Sequence, residues 1–72
     1  MSFSERLNEL QKKLNLERRD VFSATGISKT AYQRYVTGER QPTTVALISL
    51  ADFFNVSIDY LVGRTDNPNI YR

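Results

Sequence analysis

Hydrophobic residues recur with a helical period from the start of the chain. The first four large ones are spaced by four, three and four residues: Phe3, Leu7, Leu10 and Leu14. That spacing places them on one face of an amphipathic helix. The helix begins near Ser4, or at Ser2 with Glu5 completing a capping box, and Asn15 ends it. Its charged side chains are expected to face water: Arg6, Glu9, Lys12 and Lys13.

Two short amphipathic stretches meet at residues 25–28 with no room for a longer linker. Gly26 can adopt the positive φ that ends a helix, because it has no Cβ. Ser28 can accept a backbone N–H bond and cap the helix that follows. The pattern therefore predicts a second helix over 17–25, a steep turn, and a third helix from Lys29 to about Val36. The inward contacts of the second helix are expected to be Leu16, Val21 and Phe22.

The third helix has two chemically different faces. Its outward positions, at i, i+1, i+4 and i+5, are Lys29, Thr30, Gln33 and Arg34. Its inward positions are Ile27, Ala31 and Tyr35. Side chains three or four residues apart share a helical face, so one face is predicted to join the core while the other meets a partner.

The rest of the chain predicts two further helices and a tail. Thr43 or Thr44 caps the fourth helix, and Asn55 closes it in the left-handed conformation. Its buried face has the spacing i, i+3, i+4 and i+7, with Leu47, Leu50, Ala51 and Phe54. Ser57 caps a last short helix that runs through Val62. We therefore expect one all-α domain over residues 1–63, and a flexible tail or partner-dependent arm over 64–72, where periodicity ceases.

Composition excludes most catalytic and metal sites. The 72 residues include no histidine and no cysteine, so disulfides, thiolate metal sites and histidine-based catalysis are not available. No apolar run approaches the roughly 18 residues of a membrane span. We expect a cytoplasmic protein that is not an enzyme and uses no metal, no cofactor and no small-molecule substrate.

Charge is unevenly distributed along the chain. Residues 1–40 contain eight basic and five acidic side chains, whereas residues 41–72 contain two basic and three acidic ones. The basic excess lies in the half with the two helices joined at Gly26. That distribution favours a polyanionic partner over a neutral one, although the overall net charge is only +2.

An ordered set of residues carries a family resemblance over roughly residues 3–63. It comprises Gly26-Ile27-Ser28, Tyr35, Gly38, Arg40-Gln41-Pro42, Leu47, Leu50-Ala51, Asn55-Val56-Ser57 and Asp59-Tyr60-Leu61-Val62-Gly63. In this order and spacing the chain resembles the Cro/C1-type, xenobiotic-response-element-like helix-turn-helix regulators. The resemblance implies a compact five-helix lambda-repressor-like DNA-binding domain.

The resemblance also implies a function and a set of contacts. It predicts a sequence-specific DNA-binding transcriptional regulator, of the kind found in phage lysis-lysogeny-like switches, whose third helix enters the major groove of a double-stranded operator. The residues expected to contact DNA are Arg18, Ser28, Lys29, Thr30, Gln33, Arg34 and Arg40. Since one recognition helix reads few base pairs, a homodimer is expected. Its contact is predicted to use the last helix and the tail, through Ile58, Tyr60, Leu61 and Tyr71.

Three of the residues that depart from the family pattern leave a second function open. Phe22 and Tyr32 are bulky aromatics where the family has small and aliphatic side chains, and Glu39 is acidic where a basic residue is common. Aromatic side chains are favourable anchors at protein interfaces. The alternative is therefore an antirepressor, which uses this surface to bind a larger repressor protein and cover its DNA-reading face.

Overall fold

The computed structural model describes residues 1–70, and five α-helices form the fold within them. They are α1 Phe3–Lys13, α2 Arg18–Thr25, α3 Lys29–Thr37, α4 Thr44–Phe54 and α5 Ile58–Leu61. Residues 1–70 contain no strand, so the predicted all-α, five-helix architecture is confirmed. None of these helices is long and apolar enough to cross a bilayer.

Local hydrogen bonds set the start of α1. The Ser2 hydroxyl accepts from the Glu5 N–H at 3.2 Å, while the Ser2 N–H donates to Glu5 Oε1 at 3.1 Å. This reciprocal capping box satisfies two backbone donors that the helix leaves unpaired. Ser2, rather than Ser4, is therefore the cap. Asn15 follows the helix with φ of 55°, in the left-handed conformation that stops it.

The other helix boundaries follow the same local chemistry. Hydroxyl oxygens accept a backbone N–H at the N-termini of three helices, at Ser28, Thr43 and Ser57. Three helices end on residues with left-handed backbone conformations: Gly26, Gly38 and Asn55. The second helix begins one residue later than predicted, because Glu17 serves as its N-cap and donates its backbone N–H to Asp20 Oδ2 at 2.8 Å.

A single hydrophobic core joins the five helices. Its fully buried side chains come from every helix: Leu7, Val21, Tyr32, Leu50 and Leu61. The first helix packs against α3 and α5, and α4 packs against α2 and α5. The helix-turn-helix pair thus rests on α1 at one side and α4 at the other.

Tyr32 belongs to this core, which contradicts the surface-anchor role that the antirepressor alternative gave it. The side chain has no exposed area, and its ring lies 6.3 Å from the ring of Phe22, tilted by 53°. The hydroxyl donates to Gln11 Oε1 of α1 at 2.9 Å. A phenol that is longer than the aliphatic side chain of the family fits here because α1 supplies an acceptor for its polar end.

Arg6 does not face water as its helix position suggested. The residue is 3% exposed, and its guanidinium lies 3.8 Å from the centroid of the Tyr60 ring. Its Nη2 donates to Asp66 Oδ1 at 3.1 Å. A buried charge is tolerated where it gains a carboxylate and an aromatic face, and both come from segments distant in sequence.

The segment after α5 contacts the domain although it has no periodicity. Asp66 pairs with Arg6, and the Ser57 N–H donates to the carbonyl oxygen of Pro68 at 3.0 Å. Isolated hydrogen bonds of this kind follow no repeating pattern of residues, so the sequence does not reveal them. The domain boundary at residue 63 and the flexibility of the tail stay predictions, and Tyr71 lies outside the described residues.

Removal of a central core side chain should destabilise the fold. Leu50 is fully buried, so Leu50→Ala is expected to lower the free energy of unfolding by about 2–5 kcal/mol. The matched change Val45→Ala, at a site that is 74% exposed, should shift it by less than about 0.5 kcal/mol. Urea denaturation followed by circular dichroism measures both. Equal shifts in the two variants would contradict the assigned core.

Alkaline pH should weaken the fold through Tyr32. Burial raises the pKa of its hydroxyl to about 12, although the nearby positive charge of Arg18 opposes part of that rise. The folded state therefore holds this proton more tightly than the unfolded chain, in which a tyrosine has a pKa of about 10. Its contribution is fully present below pH 10 and is lost as pH rises towards 12. Between pH 10 and 12, the urea denaturation midpoint should therefore fall less steeply with pH in Tyr32→Phe than in the wild type. Parallel plots of midpoint against pH for the two proteins would contradict this role of Tyr32.

Candidate nucleic-acid interface

A three-residue turn joins α2 to α3. Gly26 ends α2 with φ of 74° and ψ of 11°. A Cβ at this position would meet no atom within 4 Å, so the backbone conformation, rather than lack of space, favours glycine. Ser28 then caps α3 through the Ala31 N–H at 3.1 Å. The predicted abrupt turn is therefore present, and it commits the Ser28 oxygen as an acceptor.

The two faces of α3 are separated as the spacing predicted. Lys29, Thr30 and Arg34 are exposed, and Gln33 is half-buried. On the opposite face Tyr35 is buried, while Ile27 and Ala31 pack against the core. Val36 and Tyr32 extend that buried face. The outward face therefore presents two cations, an amide and a hydroxyl side by side.

Besides the Gln11–Tyr32 hydrogen bond, two contacts from α1 hold α3 in place. The Asn8 side-chain amide donates to the Val36 carbonyl oxygen at 2.9 Å and to the Ser4 carbonyl oxygen at 2.8 Å. The Phe3 ring meets the Tyr35 ring edge-on, with centroids 6.1 Å apart. Nothing in the sequence marks Asn8, since an exposed asparagine within a helix carries no signal of a bond to another helix.

The cations near the turn form no ion pair with any residue that the structure describes. Within residues 1–70, each salt bridge involves either Arg6 or Arg64. Four exposed cations are therefore uncompensated around α3: Arg18, Lys29, Arg34 and Arg40. Arg18 is the first residue of α2, and Arg40 lies in the loop between α3 and α4. This arrangement places positive charge on both sides of the helix, with Glu39 beside Arg40, and Glu17 and Asp20 near Arg18, as the exposed acids nearby.

The surface offers hydrogen-bond donors rather than metal ligands. Guanidinium, ammonium, amide and hydroxyl groups bind phosphate oxygens and the edges of bases. Among residues 1–70, no three acidic side chains come close enough to hold a metal ion. The chemistry present is that of anion and base recognition.

The predicted dimer contact needs correction at two positions. Leu61 is fully buried and Tyr60 is 6% exposed, because both side chains face the core and Tyr60 also stacks on Arg6. Ile58 is 42% exposed, and a residue of a dimer contact must be exposed in the isolated chain. It borders an open groove of about 380 Å³ that is also lined by Ile48 and Ile70. Nothing in the sequence marks these two isoleucines, since neither belongs to the helical stripe that predicts the core.

The sequence and the fold are similar to those of known regulators. A helix-turn-helix family model matches residues 7–61. The chain is 39% identical over 64 residues to the cryptic phage CTXphi transcriptional repressor RstR of Vibrio cholerae, covering 89% of this chain and 57% of that protein. It is 42% identical over 60 residues to the transcriptional regulator AnsR of Bacillus subtilis, covering 83% and 52% respectively.

A solved structure has the same fold. The crystal structure of a transcriptional regulator from Listeria innocua superposes with a TM-score of 0.80 at 30% identity, covering 99% of this chain and 64% of that one. The chain thus spans between about half and two thirds of the length of these relatives. Since the family model covers most of the chain and the predicted turn lies within it, the chain belongs to the Cro/C1-type helix-turn-helix family of transcriptional regulators.

Proposed function

We propose that this protein is a sequence-specific DNA-binding regulator of transcription that inserts α3 into the major groove of its operator. One observation carries the proposal. The outward face of α3 holds exposed donors that no acid neutralises within residues 1–70, and a three-residue turn joins it to α2. A helix of this size fits the major groove while the preceding helix crosses the phosphate backbone.

Four side chains on α3 supply the proposed base contacts. The Gln33 amide can both donate and accept, as the N6 and N7 atoms of adenine require. Lys29 and Arg34 can donate to the N7 and O6 acceptors of guanine. Thr30 offers a methyl group to thymine as well as a hydroxyl. All of these residues lie on the outward face, on the N-terminal two thirds of the helix.

Phosphate contacts are proposed for Arg18, Ser28 and Arg40. Arg18 begins α2, whose N-terminal backbone N–H groups also favour anions. The hydroxyl hydrogen of Ser28 is not used by the cap, in which its oxygen accepts. Arg40 extends from the loop that follows α3. Contacts of this kind set the orientation of the domain on DNA without reading its sequence.

We propose that two copies bind a two-fold operator with half-sites about one DNA turn apart. The apolar groove between α4 and the C-terminal segment supports this, since Ile48, Ile58 and Ile70 are each more than 40% exposed. Exposed isoleucines around a concave surface lose contact with water when a partner covers them. Ile58 thus remains in the proposed contact, whereas the buried Tyr60 and Leu61 do not.

A repressor of a phage-type switch is the biological role we propose. The similarity to RstR, a cryptic phage repressor, supports it. No observation favours the antirepressor alternative, because Tyr32, one of its three supporting residues, is inside the core.

The proposal separates a base-reading residue from a phosphate-binding one. Gln33→Ala should relax base preference at one position of the operator. The difference in binding free energy between the preferred base pair and the others at that position should shrink by about 1–3 kcal/mol. Arg18→Ala should weaken binding to every duplex and reduce the slope of log affinity against log salt by about one. Fluorescence anisotropy with single-base operator variants at several salt concentrations measures both effects. An unchanged order of operator preferences in Gln33→Ala would remove its role as a base reader.

The dimer proposal predicts a defect at Ile58. Ile58→Gln should raise the dimer dissociation constant at least about tenfold, because each two-fold contact loses two buried isoleucines. The matched control is Leu14→Gln, since Leu14 is also exposed but lies outside this groove. Analytical ultracentrifugation gives the constants. Equal effects of both changes, or none, would rule out the groove as the contact.

A further inference from the structure

Gln11 connects α1 to the buried side of α3. Its Oε1 accepts the Tyr32 hydroxyl at 2.9 Å. Tyr32 has no exposed area, whereas Gln11 is half-buried. The Oε1 atom of the Gln11 amide is therefore fixed by a hydrogen bond to a buried group. Because an amide is planar, its NH₂ group points away from the Tyr32 hydroxyl.

The NH₂ group of Gln11 has no hydrogen-bond partner within residues 1–70. The carboxamide of Gln11 accepts from Tyr32 and makes no other bond in this part of the chain. Two donors on a fixed amide are thus available to a ligand. If Gln11 served only to join α1 to α3, solvent alone would accept the hydrogen bonds of its NH₂ group.

Arg18 lies at the same corner of the molecule. The backbone carbonyl oxygen of Gln11 accepts the Leu16 N–H at 2.9 Å, and Arg18 follows two residues later as the first residue of α2. This bond holds the start of α2 against the end of α1 that carries Gln11. Arg18 is exposed and has no ion-pair partner in the described part of the chain.

We propose that Gln11 is a further DNA-contacting residue, whose NH₂ group, oriented by Tyr32, donates to a backbone phosphate oxygen beside Arg18. The inference rests on the proposed function, since it requires DNA along this corner. Tyr32 acts as the positioning residue and touches no DNA itself. Its hydroxyl remains neutral up to strongly alkaline pH, so it stays a donor to Gln11.

The chemistry of a neutral donor makes the proposal distinguishable from a basic contact. A phosphate contact by an amide adds affinity for any sequence, because all duplexes present the same phosphates. It releases no condensed counterion, because the amide carries no charge. Loss of Gln11 should therefore reduce affinity without changing the salt slope, whereas loss of Arg18 should change both.

The experiment compares three variants with the wild type. Gln11→Leu retains a side chain of similar size without the amide, Tyr32→Phe removes only the orienting hydroxyl, and the third variant combines them. Anisotropy titrations use the operator and an unrelated duplex of equal length at four salt concentrations. Urea denaturation at the temperature and pH of the titrations gives the free energy of unfolding of each variant and checks that all of them are folded.

Gln11→Leu is expected to bind both duplexes about threefold to tenfold more weakly, with an unchanged salt slope. Tyr32→Phe should cause a smaller loss, and should cause none when Gln11 is already leucine, because the hydroxyl acts only through the amide. Wild-type affinity in Gln11→Leu overturns the inference, as does a loss confined to the operator. Additive losses in the double variant overturn the positioning role of Tyr32. If the wild type binds no duplex, the proposed function itself fails.

Discussion

The burial of Tyr32 fixes the position of the helix that faces the proposed partner. Its ring fills the space between α2 and α3 beside Phe22, and its hydroxyl ends on Gln11 of α1. A side chain of this size is stable inside a small domain only if its polar end finds an acceptor. One residue thereby connects three helices, and the outward face of α3 depends on all three.

The positive charges of the domain have two different environments. Arg6 is buried against Tyr60 and pairs with Asp66. Its charge therefore stabilises the contact of α1 with α5 and with the segment after α5. The cations around the turn are exposed and unpaired within residues 1–70, so their charge is available to a polyanion. Net charge alone does not separate these roles, because each arginine counts equally in it.

The molecule has two exposed surfaces of different chemistry. The face of α3 carries hydrogen-bond donors, whereas the groove beside Ile58 is apolar. The first suits phosphate and base edges, and the second suits another apolar surface. A domain that binds a two-fold operator needs both kinds of surface, and the structure separates them onto different elements.

The sequence by itself determined the helices, their caps and the turn at Gly26. Capping boxes and left-handed terminators depend on residues within four positions of each other, so the boundaries were predicted to within about one residue, and the ordered motif identified the family. Only the tertiary structure placed Arg6, Tyr60 and Leu61 in the interior, and only it brought Gln11 to Tyr32. Periodicity defines the face of a helix relative to its own axis, whereas burial and long-range hydrogen bonds depend on which distant segment covers that face.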